Sequence, residues 1–81
     1  MNYEKELQKL KPYDEVQGVS KVQGYDFITT AGHGYLVVPG DDENYKLAEN
    51  IREFGYTGTL AIYLEEDCEA GEFLKAIKIA E

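Results

Sequence analysis

The spacing of apolar residues changes several times along this chain, and each change predicts an element. Tyr3, Leu7 and Leu10 fall at i, i+4 and i+7 with charges between them, the stripe of a short amphipathic helix over 2–11, and Pro12 ends it. Residues 13–24 set Val16, Val19 and Val22 among Gly18, Ser20 and Gly24, a pattern that supports only a loop or a weak edge strand. Tyr25–Thr30 and Tyr35–Val38 are β-branched and aromatic runs separated by Ala31-Gly32-His33-Gly34, which reads as a hairpin whose glycines can take positive φ. The second run is apolar on both faces, as in a central strand, and Pro39-Gly40 stops it.

The best helical stripe follows. Leu47, Ile51 and Phe54 are spaced i, i+4 and i+7, with acids at 41–43 ahead of them and Gly55 behind as a C′ residue. Tyr56-Thr57-Gly58 reads as a turn and Thr59–Leu64 as a strand. Ala70, Phe73, Leu74 and Ile77 then give a last helix in spite of Gly71. The order α-β-β-α-β-α predicts an α+β fold, a single two-layer domain spanning 1–81 with a three- or four-stranded sheet packed by helices. Eighty-one residues are short of the ~100–200 usual for a domain, so one core is expected, and little interior remains for a deep substrate cavity.

Charge narrows the choice of partners. Sixteen acids against eight bases leave a net charge of −8, which disfavours phosphate-backbone and anionic-membrane binding. The excess is uneven: residues 1–40 hold five acids and four bases, net −1, whereas residues 41–81 hold eleven and four, net −7. Seven tyrosines and no tryptophan offer contact area with polar tips, suited to a recognition surface and equally to a small core. The expected partner is another protein with a basic surface, bound by a monomer or a homodimer. With a single cysteine, Cys68, there is no intramolecular disulfide and no multi-thiolate metal site. Reducing conditions, no apolar leader at 1–6 and no bilayer-length apolar run give an expectation of a cytoplasmic protein without cofactors.

Two short segments could carry chemistry. His33 sits between two glycines, accessible as acid, base or ligand, or simply tolerated as a turn residue. Glu65-Glu66-Asp67-Cys68-Glu69 follows a strand that reads as central. Combined with the imidazole it makes His33, Glu66, Asp67 and Cys68 the catalytic candidates and His33, Glu65 and Asp67 the metal candidates. The same run also reads as a helix cap in which Asp67 accepts first-turn N–H groups and Glu69 favours the dipole. Cys68 as a nucleophile would need a lowered pKa, which four neighbouring carboxylates oppose; a small buried residue is the alternative. Glu65, Glu66, Asp67 and Tyr63 are the binding candidates.

Thr30-Ala31-Gly32-His33-Gly34 together with Tyr63–Glu69 resembles short uncharacterised domains carried by phages, plasmids and other mobile elements, which pair a Thr-x-x-His-Gly strand turn with a later Tyr-Glu-Glu-Asp-Cys-Asp segment. The match covers about a dozen positions. Here Leu64 intervenes after the tyrosine, Ala31-Gly32 replace the frequent proline and serine, and Glu69 stands for aspartate. The resemblance implies that His33 and Glu65–Cys68 lie together, and it supplies no activity. Two functions are therefore carried forward. The first is a non-enzymatic acidic interaction or accessory factor of mobile-element origin; the second is a small divalent-metal or acid/base enzyme using His33 with Glu65, Glu66 and Asp67.

Overall fold

The computed structural model describes residues 2–80. Its elements run α1 (Tyr3–Leu10), β1 (Val16–Val22), β2 (Tyr25–Thr30), β3 (Gly34–Pro39), α2 (Tyr45–Ile51), β4 (Tyr56–Thr57), β5 (Ala61–Glu65) and α3 (Glu69–Ala80). The α+β class holds. The sheet has five strands rather than three or four, all neighbours antiparallel, in the order β1-β2-β3-β5-β4. The additional strands are β1, where the residue pattern supports only loop or weak edge, and β4, where it reads as a turn. No helix among the described residues is long and apolar enough to cross a membrane.

The two central strands explain the layering. Along β3, Tyr35 and Val37 enter one core with Leu7, Ile28, Ala61 and Tyr63, while Leu36 and Val38 enter the other with Ala48, Ile62, Leu64, Phe73 and Ile77. Side chains alternate across a strand, so two separate cores mean helices on both faces. The first core is covered by α1, the second by α2 and α3. The two-layer expectation is thereby corrected to three. Each fully buried Leu, Ile or Phe contributes roughly 1.5–3 kcal/mol of transfer free energy, and β3 and β5 collect that on both sides.

Local chemistry fixes the ends of the elements. Asn2 caps α1 by accepting Lys5 N–H through Oδ1 at 3.1 Å, and the helix stops at Leu10 because the residue before Pro12 is driven out of the α region (Lys11 φ −131°, ψ 71°). Val22 pairs with Tyr25, leaving Gln23-Gly24 as a two-residue turn with φ of 49° and 87° at both positions, as primed hairpin turns require. Gly24 is the one described glycine with positive φ, so the expectation for Gly32 and Gly34 does not hold. Gly34 is needed for space, since a Cβ there would run into the Phe27 ring and the Glu66 carboxylate. The α2 stripe also ends early: Phe54 lies beyond the helix and is 61% exposed, and Arg52 turns extended (φ −63°, ψ 126°).

Candidate functional site

The sequence candidates converge on one end of the sheet, where the β2–β3 turn meets the β5–α3 turn. The first turn is built around Asp14, which reaches over from the α1–β1 connection. Thr30 Oγ1 donates to Asp14 Oδ2 at 2.7 Å and accepts from His33 N–H at 3.0 Å, while Gly32 N–H donates to Asp14 Oδ1 at 3.0 Å. Thr30 N–H closes the loop on the His33 carbonyl at 2.8 Å. The Thr30 hydroxyl, opposed by desolvation and joined by the Gly32 amide and Lys11, holds the Asp14 carboxyl below the usual aspartate range. His33 itself projects outward, exposed, its ring 6.2 Å from that of Tyr35.

The acidic turn is tied to this one through the backbone. Glu66 N–H donates to the Gly34 carbonyl at 2.9 Å, so the two turns meet along the main chain, and the Glu66 carboxylate lies beside the Phe27 ring. Neighbourhood does not make a metal centre: among the described residues no group of three His, Cys, Asp or Glu side chains is placed to hold a metal ion. The set His33, Glu65 and Asp67 is therefore not assembled in this conformation. The carboxylate that organises the segment is Glu69 rather than Asp67. Glu69 is 2% exposed, and its oxygens accept the N–H groups of Gly55, Phe54 (3.2 Å) and Glu65 (3.3 Å). Asp67 and Glu66 are left exposed, and Glu65 Oε1 accepts the Asp67 amide at 3.2 Å.

Two sequence candidates are displaced. Tyr63 belongs to the interior: it is fully buried under α1, and its hydroxyl donates to Glu6 Oε1 at 2.8 Å, so it presents nothing to a partner. Burial, then the neighbouring Glu6 carboxylate, pushes its pKa far up. Cys68 is exposed instead of buried. Its thiol is pushed up by partial desolvation and by Glu65, Glu69, Asp67 and Glu53, the reverse of what a nucleophile needs.

Beside the His33 turn runs a groove of about 360 Å³ that the sequence did not announce, lined by Leu10, Pro12, Tyr13, His33 and Tyr56, with Lys11 and Asp14 as its polar part. Tyr13 is 101% exposed at its mouth. Lys11 Nζ bonds Tyr35 Oη at 2.5 Å and Asp14 Oδ2 at 3.2 Å, and lies 5.0 Å from the Tyr35 ring centre and 5.7 Å from that of Tyr56. Desolvation works to lower the Lys11 pKa, but the bonds to Tyr35 and Asp14 outweigh it and hold it above the ordinary lysine value. Burial raises the Tyr35 phenol in spite of Lys11. An ammonium and a neutral phenol result, held by hydrogen bonding and cation–π attraction rather than primed for attack. The only sequence cue to this cluster was a lysine placed directly after a helix and before a proline.

A second hollow of about 420 Å³ lies at the opposite end of the sheet, near Tyr3, Tyr25 and Asn44. Its polar groups already serve one another: Tyr25 Oη donates to Asp42 Oδ2 at 2.8 Å and accepts from Asn44 Nδ2 at 3.0 Å. Among the described residues the ion pairs are Lys11–Asp14 and Lys21–Asp26, so none engages Glu53, Glu65, Glu66, Asp67 or Glu72. Comparison with protein-family models, with curated proteins and with solved structures gave no match.

Proposed function

We propose that this chain is a non-enzymatic acidic interaction protein, an accessory factor of mobile-element type, that docks on a basic surface of another protein through the end of the sheet carrying the His33 and Glu65–Asp67 turns. The observation that carries this reading is the exposed Phe54 beside carboxylates that form no ion pair among the described residues: its amide is bonded to Glu69, and Glu53, Glu65 and Asp67 gather with Glu69 around the adjoining Cys68 turn. Arg52 is held to the Gly55 carbonyl at 3.1 Å, and the acids outnumber it there, so an exposed aromatic in an acidic surrounding suits a partner of the other sign, in contact area and in steering alike. The reactive groups nearby support it from the other side. Thiol, phenol and amine all shift away from their nucleophilic forms.

Calorimetric titration with lysine- and arginine-bearing peptides at low and moderate salt tests the reading. The wild-type chain should bind with affinity that falls as salt rises. Joint reversal Glu65→Lys, Glu66→Lys and Asp67→Lys should weaken binding at least tenfold with the melting curve intact. Reversal of Asp41, Glu43 and Glu49, exposed acids on the α2 side, should leave it nearly unchanged. Equal loss from both triple variants would reduce the effect to net charge and refute a local site.

A further inference from the structure

We infer that the outer edge of β1 is a pairing surface for a second copy of this chain, the two β1 strands running antiparallel about a two-fold axis at Val19 and joining the two five-stranded sheets into one. The inference stands apart from the docking surface, to which β1 contributes nothing. Among the described residues β1 has a strand on one side alone, and its five inner residues are exposed. The turn that follows it shows which main-chain groups are free. Val22 and Tyr25 close the two-residue Gln23-Gly24 turn, so they exchange ladder hydrogen bonds, and bonded and non-bonded pairs alternate from there. Ser20 and Gly18 therefore face β2, whereas the N–H and C=O groups of Val19 and Lys21 point away from the sheet. Donors and acceptors at every second residue fit another extended chain.

The strand's own sequence fits a copy of itself. Val16–Val22 holds no acid and one base in a chain of net charge −8, so two copies can meet here without setting carboxylate against carboxylate. With the axis at Val19, the two Val19 residues exchange both hydrogen bonds. Their side chains, each residue 45% exposed, then cover one another on the α1 face beside Ile28. Lys21 falls opposite Gln17 of the other copy, so it meets no second lysine, and Asp26 already holds it at 2.7 Å. An axis one residue away would set Val19 against Gln17 or Lys21, and the apolar contact would be lost. The far edge of the sheet offers no alternative, because β4 is two residues long. Pairing of β1 with β1 is isologous, so it closes at two chains and does not grow into a fibre. Lysine and a bulge are the usual guards of an open edge, and β1 has both. The ion pair with Asp26 neutralises the lysine, and the irregularity between Val16 and Gly18 limits the contact to a few residues, which sets it among small, transient interfaces.

Sedimentation equilibrium over a concentration series, with amide hydrogen exchange on labelled protein, tests the pairing. The average mass should climb from that of one chain toward that of two. Exchange of the Val19 and Lys21 amides should slow in step with the mass, while Ser20 and Val22, already bonded in the ladder, change little. Val19→Lys sets two ammonium groups against each other, and Val19→Pro deletes an outward N–H. Neither removes a ladder bond to β2, so the melting curve should hold and self-association should weaken at least tenfold. A mass that stays at one chain throughout overturns the proposal. So does self-association that Val19→Lys leaves unchanged, or that slows amides around Phe54 and His33 in place of those of β1. A synthetic peptide copying residues 15–23 should slow the same two amides and dissociate the dimer. Equal effects from a peptide of the same composition in scrambled order would open the edge to any strand and refute the second copy.

Discussion

Truncating Glu69 to alanine removes the acceptor shared by three amides. Gly55 is buried, so its N–H would be left without a partner and without water, at a cost of about 1–3 kcal/mol. The Phe54 and Glu65 amides sit at 3.2 and 3.3 Å and lie nearer solvent, so each loses a weaker bond that water can partly replace, about 0.5 kcal/mol apiece. The sum is about 3 kcal/mol, a large share of the ~4–12 kcal/mol expected for a chain of this size. Urea unfolding followed by tyrosine fluorescence should show that loss, and the melting midpoint should fall by roughly 15 °C. Glu69→Gln keeps one acceptor oxygen but turns an NH2 group toward a donor, so about half the loss is expected. Glu72→Gln, on an exposed position of the same helix, should stay within ~0.5 kcal/mol of wild type. A Glu69→Ala protein as stable as the Glu72→Gln control would show that the buried carboxylate does not hold the connection, and capture of the Phe54 amide could then no longer explain why α2 ends early.

Other outcomes follow from the same geometry. Asp14 titrates below its unfolded value, so its contribution is complete above that value and disappears as pH falls through the folded one; Asp14→Asn should flatten the loss of unfolding free energy below about pH 4. Tyr63 titrates above its unfolded value, so its contribution is complete below about pH 10 and lost as pH rises beyond it. Tyr63→Phe should cost about 1 kcal/mol at neutral pH and make alkaline unfolding shallower. Gly55→Ala sets a Cβ against the Tyr63 carbonyl, backbone that cannot swing away, and should cost about 3 kcal/mol in chemical denaturation, far more than Gly18→Ala in open space.

The sequence carried the elements whose pattern is local. The α1 stripe, the two-faced strands around Leu36 and Ile62, and the Ala70–Ile77 helix were legible because burial imposes a period that a window of residues displays. What it hid depended on contacts distant along the chain. Tyr56-Thr57 is a strand only because Tyr63 and Ile62 lie opposite it, and Phe54 leaves the α2 stripe because Glu69, fifteen residues later, captures its amide. Val16–Val22 reads poorly because five of its seven residues face water and no apolar alternation survives. The Gln23-Gly24 turn lacked the asparagine that usually marks such a hairpin. For the site, the two turns that the motifs singled out touch only through the main chain of Gly34 and Glu66. The Lys11 groove was not legible in the sequence, since Lys11 and Tyr35 are twenty-four residues apart and meet only once α1 lies on the sheet.

The connection from Arg52 to Leu60 is clasped twice, by Glu69 of α3 at Phe54 and Gly55 and by Glu6 of α1 at Thr59 (2.8 Å) and Leu60 (3.0 Å). Loops that serve recognition commonly pay an ordering cost at the moment of contact. This one does not have to, because its main chain is already anchored by carboxylates brought from opposite faces of the sheet. A partner arriving at Phe54 or Tyr56 would immobilise side-chain rotamers at about 0.5–1.5 kcal/mol each and no backbone. Association at this surface is therefore expected to resemble two rigid surfaces meeting, its affinity set in the dissociation rate and its salt dependence in the association rate.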